Sequence, residues 1–138
     1  MMDLFNKCLL IFVIWTSLHL SAGIRLYLNP RTSDGNKVQV GETMVLVCRV
    51  EDERKRTQNI RSVECLRGST SVCLFLLQGG GCTGEEQEPG YQCSCEVNAR
   101  SPLEIKFKAK REDVEPWKCK TKRRTSNILN LDVLCKST

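Results

Sequence analysis

Histidine is almost missing from this sequence: the chain of 138 residues has one, His19. Ser–His and Cys–His catalytic pairs need that side chain, as do the imidazole ligands of most catalytic zinc sites. No N-x-[ST] sequon occurs after residue 23, so no N-glycan is expected there. Aromatic residues are sparse, and Trp117 is the only tryptophan outside the first 23 residues. No repeat and no low-complexity linker divides the chain. Spanning a bilayer takes about 20 apolar residues, and no segment after residue 23 comes near that length.

The one long apolar run is Cys8–Leu20 (CLLIFVIWTSLHL), 13 residues behind a short polar start with one lysine. Ser21-Ala22-Gly23 then supplies small residues at positions −3 and −1 of a cut after Gly23. This layout predicts a secretory signal peptide over residues 1–23 and one domain over residues 24–138. Removing the signal takes away Cys8, Trp15 and His19. Eight cysteines remain: Cys48, Cys65, Cys73, Cys82, Cys93, Cys95, Cys119 and Cys135. An even count in a secreted chain of this size predicts four disulfides.

Charge is unevenly spread. Residues 24–99 carry 9 basic and 10 acidic side chains, whereas residues 100–138 carry 11 and 5. A basic C-terminal third attracts acidic partners, although solvated strand faces give the same composition.

Short β-type runs alternate with turn signals. Ile24–Asn29 and Val38–Val40 read as edge strands, and Thr43–Val50 (TMVLVCRV) sets Met44, Leu46, Cys48 and Val50 on one face. Glu51–Gln58 reads as a charged loop. Ile60–Leu66 and Val72–Gln78 read as a hairpin around Gly68-Ser69-Thr70, followed by a Gly- and Glu-rich loop to Gly90 and a short strand over Tyr91–Val97. Leu103–Ala109 alternates strictly, with Leu103, Ile105, Phe107 and Ala109 on one side and Glu104, Lys106, Lys108 and Lys110 on the other. Trp117–Thr121 and Ile128–Leu134 complete the set. Regular strands without a convincing helix predict an all-β, two-layer antiparallel sandwich.

Two stretches carry a family resemblance. G-E-T-M-V-L-V-C (Gly41–Cys48) resembles strand B of the immunoglobulin superfamily with its first core cysteine. L-E-I-K-F (Leu103–Phe107) followed by D-V-E-P-W-K-C (Asp113–Cys119) resembles strand E, the E–F turn and strand F with the second core cysteine. Ile128–Leu134 then fits strand G, so the resemblance covers nearly all of residues 24–134. It implies an Ig-like sandwich with a Cys48–Cys119 core bridge, a link that stabilises by about 4 kcal/mol in the chain-entropy model.

The sequence departs from that family in three ways. Trp117 stands where a tyrosine usually forms the tyrosine corner, and it is expected to pack on the core bridge instead. No tryptophan marks strand C, leaving Ile60, Val63 or Cys65 to fill that space. Six cysteines are extra to the fold. A second stretch, G-Y-Q-C at Gly90–Cys93, also mimics strand F, but it leaves the Leu103–Cys119 pattern unexplained. Among the extra cysteines, Cys93 and Cys95 are not expected to join. Side chains two apart on a strand point the same way, about 6.5–7 Å apart, near the limit for a disulfide. Cys65 with Cys73, across the hairpin turn, is the favoured remaining pair.

If Trp117, Cys119 and Thr121 face the core, Lys118, Lys120 and Lys122 face outward. Strands E and F belong to opposite sheets of this fold, so their two lysine rows do not merge. Lys122, Arg123 and Arg124, in the loop between strands F and G, become the candidate binding loop. Catalysis is not expected. Gly79-Gly80-Gly81-Cys82-Thr83-Gly84 lacks the lysine of a phosphate loop and reads as a flexible turn, and Glu85, Glu86 and Glu88 read as loop carboxylates without partners. Cys93-x-Cys95 is better explained by disulfides than by zinc in an oxidising compartment. No cofactor or metal is expected.

The expectation is a secreted, extracellular recognition module binding a protein or glycan ligand, acidic in character, either alone or as one module of a longer protein. Neither nucleic acid nor a membrane span is expected. A disulfide-stapled inhibitor or toxin-like effector and a heparin-type polyanion binder are the alternatives.

Overall fold

The computed structural model describes residues 24–31, 35–52, 60–78, 81–96 and 101–135. The expected signal peptide (1–23), most of the expected charged loop (53–58), Gly79-Gly80 and Val97 lie outside the described residues.

Among the described residues ten strands follow in chain order: β1 (Ile24–Pro30), β2 (Lys37–Gln39), β3 (Thr43–Asp52), β4 (Ser62–Arg67), β5 (Thr70–Gln78), β6 (Gly81–Glu86), β7 (Gln92–Cys95), β8 (Leu103–Lys108), β9 (Trp117–Lys120) and β10 (Asp132–Leu134). A single 3-10 turn, Arg111–Val114, is the only helical element among the described residues. One antiparallel sheet runs β1-β3-β8-β7 and a second runs β6-β5-β4-β9. A parallel pair, β10 on β2, completes the order. The all-β expectation holds.

Period-2 patterning explains how the sheets meet. Met44, Leu46, Cys48 and Val50 of β3 and Leu103, Ile105 and Phe107 of β8 are buried together, in register as antiparallel neighbours. Val63 and Cys65 of β4, Phe75 and Leu77 of β5, and Trp117 and Cys119 of β9 belong to the same core cluster from the other sheet. Ile60, Val63 and Cys65 are all buried in that cluster, in a chain with no tryptophan on β4. Each fully buried Val, Leu, Ile, Met or Phe of this set contributes about 1.5–3 kcal/mol.

Three disulfides link the sheets. Cys48 on β3 bonds Cys119 on β9, Cys73 on β5 bonds Cys93 on β7, and Cys82 on β6 bonds Cys95 on β7. Two expectations are thereby corrected. Among the described residues the bridges number three rather than four, because Cys65 is a buried free thiol and Cys135 an exposed one. Cys65 does stand opposite Cys73 across the β4–β5 pair, as the hairpin reading required. Cys73, however, bonds across the core to β7, leaving Cys65 without its expected mate.

The Gly- and Glu-rich loop is also corrected. Gly81–Glu86 is a strand, paired along its whole length with β5 from Cys73↔Glu86 to Gln78↔Gly81. It lacks the apolar alternation that marks a strand, so pairing and the Cys82–Cys95 bond hold it instead. Gly84 has no side chain for a physical reason: a Cβ there would run into the backbone carbonyl of Cys93. Strand β6 thus passes directly against β7, and two edges that would otherwise invite pairing are closed. Strand β7 itself pairs with β8, so the Gly90–Cys93 stretch that mimics strand F belongs to the sheet opposite β9.

The last strand is shorter than expected. Only Asp132–Leu134 pairs as a ladder, on β2. Upstream, Leu129 forms an isolated bridge to Trp117 and Thr125 one to Lys120, as this segment crosses from β9 toward β2.

Candidate binding surface

The segment after β9 turns back at once. The Thr121 N–H donates to the Arg124 carbonyl at 2.8 Å, and the Thr121 hydroxyl accepts from the N–H groups of Arg123 and Arg124 at 3.3 and 3.0 Å. A threonine at this position therefore caps the turn with its own side chain, as Ser, Thr, Asn and Asp do in turns generally. Lys122, Arg123 and Arg124 form the exposed tip.

The residues behind the tip are fixed. Buried Ser126 donates its N–H to the Cys119 carbonyl at 2.8 Å and accepts the Cys119 N–H on its hydroxyl at 2.9 Å. Asn127 pairs its side-chain amide with both backbone groups of Leu28, accepting at 2.8 Å and donating at 2.9 Å. An amide side chain here takes the place of a strand neighbour for β1. The expected loop over residues 122–127 is accordingly narrower: Thr125 is bridged to Lys120, and Ser126 and Asn127 are anchors.

None of the ion pairs among the described residues reaches the tip. Glu64 pairs instead with Lys120 at 3.6 Å and accepts from the Ser71 hydroxyl at 3.1 Å. Because Glu64 faces Lys120 in the β4–β9 register, the turn lies at the end of the sheet where β4 begins. Exposed Arg61 stands at that same end, its carbonyl accepting from the Leu77 N–H at 2.8 Å. Sequence reasoning missed Arg61, and only the strand register relates it to a loop some 60 positions downstream.

The other lysine row goes elsewhere. Lys106 and Lys108 lie on β8 in the opposite sheet, exposed and spread along its outer face. Lys110 follows β8, with its ammonium 5.9 Å from the centre of the Tyr91 ring. The outer face of the β6-β5-β4-β9 sheet is mixed. Half-buried Leu74 and Leu76 sit between Glu64 and Ser62 on β4 and Glu85 and Thr83 on β6.

A buried polar cluster supports the opposite end. Arg67, at the end of β4, donates to the Tyr91 hydroxyl at 2.6 Å and lies 3.4 Å from Oδ1 of fully buried Asp113. The Tyr91 hydroxyl donates to the same Asp113 oxygen at 2.5 Å, and the Lys110 N–H donates to the other at 2.7 Å. Glu88 closes the group, 3.3 Å from Arg67. That contact corrects the reading of Glu88 as a loop carboxylate without a partner; Glu85 and Glu86, likewise read as loop residues, lie on β6. Burial, and then the hydrogen bond to Asp113, push the Tyr91 phenol well above its ordinary range. The ring itself packs on Phe107 and Trp117, at 5.1 and 6.0 Å between centroids.

No family model and no curated protein matches this chain.

Proposed function

We propose that the chain is a secreted recognition module of immunoglobulin type that binds an acidic protein or glycan partner through the Thr121–Arg124 turn. The strand order carries the reading of the fold. In variable-type Ig domains one sheet runs A-B-E-D, and the other adds C′ and C″ to C, F and G. The orders β1-β3-β8-β7 and β6-β5-β4-β9 are similar to A-B-E-D and C″-C′-C-F, while β10, the candidate for strand G, pairs with β2. On this reading the bonded Cys48 and Cys119 are the cysteines of strands B and F. Three disulfides suit an oxidising extracellular compartment. No helix among the described residues is long and apolar enough to cross a membrane.

Binding at the turn is supported by its rigidity. A tip already held by Thr121, Ser126 and Asn127 loses little freedom when a partner arrives, which lowers the entropic cost of association. Three adjacent cations without an acidic partner among the described residues raise the local potential and speed encounter with an anionic surface.

A cell-surface binding screen tests this reading, using the secreted chain beside a K122Q/R123Q/R124Q variant. Binding by the wild type that the variant loses supports it. Binding that the variant keeps in full rejects the turn as the site. Inhibition of a protease without any surface binding points instead to the stapled-inhibitor alternative.

A further inference from the structure

Three cysteines lie side by side across one sheet. Cys65 in β4 stands directly opposite Cys73 in β5 and directly opposite Cys119 in β9. All three are fully buried on the core side. Directly opposed residues in an antiparallel pair have Cα atoms about 4.5–5.5 Å apart with side chains on one face. Disulfides span Cα separations of about 4.4–6.8 Å. By Cα separation Cys65 is therefore placed for a bond to either neighbour, each already bonded across the core, Cys73 to Cys93 and Cys119 to Cys48. A thiol held between two disulfides is the reactant arrangement for thiol–disulfide exchange.

We propose that Cys65 is an exchange thiol, able to convert the Cys73–Cys93 bridge into a Cys65–Cys73 bridge and release Cys93. The Cys65 thiol gives up its proton, and the thiolate bonds to Sγ of Cys73. The Cys73–Cys93 bond breaks, Cys93 leaves with the electron pair, and it takes up a proton. One disulfide is lost and one gained, so no oxidant or reductant is consumed.

The leaving group decides which bridge is attacked. Cys93 is only partly buried, and its sulfur lies 3.5 Å from the Tyr91 carbonyl and 3.8 Å from the Val72 carbonyl, two acceptors for a new S–H. Attack at Cys119 would instead expel Cys48 into the dry core, where a thiolate is far more costly. The β4–β5 pair is also a hydrogen-bonded ladder that a Cys65–Cys73 rung would not disturb.

The product differs mechanically from the starting molecule. The bond lost tied the two sheets together, whereas the bond gained lies within one sheet. Of the two bridges reaching β7, only Cys82–Cys95 would remain. In the closed fold, burial, and then the neighbouring Glu64 charge, hold the Cys65 thiol protonated. Exchange therefore follows local opening of the sheets, and Cys65 acts as a latent catch on the β5–β7 side.

The test uses the oxidised full chain in a Cys135→Ser background, which removes the exposed thiol. The protein is held in graded low urea without added thiol, alkylated, digested without reduction and mapped. The expected result is a Cys65–Cys73 peptide that accumulates together with alkylated Cys93, and no Cys93 alkylation in the Cys65→Ala chain. A Cys93→Ala chain gives a second reading that does not depend on folding of Cys65→Ala: it should oxidise to Cys65–Cys73. Retention of Cys73–Cys93 at every urea concentration overturns the proposal, as does a Cys65–Cys119 product. Equal Cys93 alkylation with and without Cys65 does the same, as do free Cys65 and Cys73 thiols in Cys93→Ala.

Discussion

Trp117 donates its indole N–H to the carbonyl of Asp113, four residues upstream, at 2.9 Å. That bond ties the start of β9 back to the 3-10 turn before it. The ring stacks on Phe107 at 5.1 Å with 14° between planes, so one fully buried side chain both ties the corner and fills the core. Trp117→Phe keeps an aromatic ring but leaves a buried carbonyl unpaired and a void behind. The unpaired group costs about 1–3 kcal/mol and the lost volume adds to it. Urea unfolding should show a loss of about 2–4 kcal/mol.

Asp113 and Arg67 form a buried ion pair whose members depend on one another. Removing one partner of such a pair costs about 3–5 kcal/mol where the other charge stays buried and uncompensated. Here Glu88 keeps a contact with Arg67, but the Tyr91 hydroxyl and the Lys110 N–H also lose their acceptor. Asp113→Ala should therefore be severely destabilising. Adding Arg67→Met to it should recover part of the loss, giving a double variant more stable than the sum of the singles. A double-mutant cycle by denaturant unfolding measures the coupling.

Much of the scaffold was legible because its strands are half-buried and alternate. Leu103, Ile105 and Phe107 against Lys106 and Lys108 could hardly be read otherwise, and the same holds for Met44 to Val50. Strand β6 was illegible for the opposite reason. Its order comes from a neighbour on one side and a disulfide on the other, and neither is visible in G-C-T-G-E-E. Cysteine pairing was legible only where a family pattern supplied it. Cross-strand proximity correctly brought Cys65 and Cys73 together, yet bonding also depends on what faces them across the core, here Cys93. The Arg67–Tyr91–Asp113 cluster went unseen because its members are 24 and 22 positions apart, and the stretches that hold Tyr91 and Asp113 stand out for their cysteines and tryptophan.

Stability should fall in alkali. Tyr91 and Cys65 both have folded pKa values raised above their unfolded ones. Each thus contributes stability that is full below the unfolded value and is lost as pH rises beyond it. Unfolded Cys titrates near 8.5 and unfolded Tyr near 10, so the thermal midpoint should decline from about pH 9 upward. Cys65→Ala should remove the earlier part of that decline and leave the part above about pH 10. A midpoint profile from pH 7 to 11 for both chains checks the sign and the order.

On the proposed function, the Thr121–Arg124 turn, and not diffuse basic charge, meets an acidic partner. Retention on an immobilised sulfated polyanion compares K122Q/R123Q/R124Q directly with K106Q/K108Q/K110Q, two variants with the same change in net charge. The turn variant should elute at clearly lower salt than the strand variant. The gap should close as ionic strength rises and the Debye length falls to about 8 Å and below. Equal shifts for the two variants would mean that net charge alone governs retention, and would rule out the turn as the site.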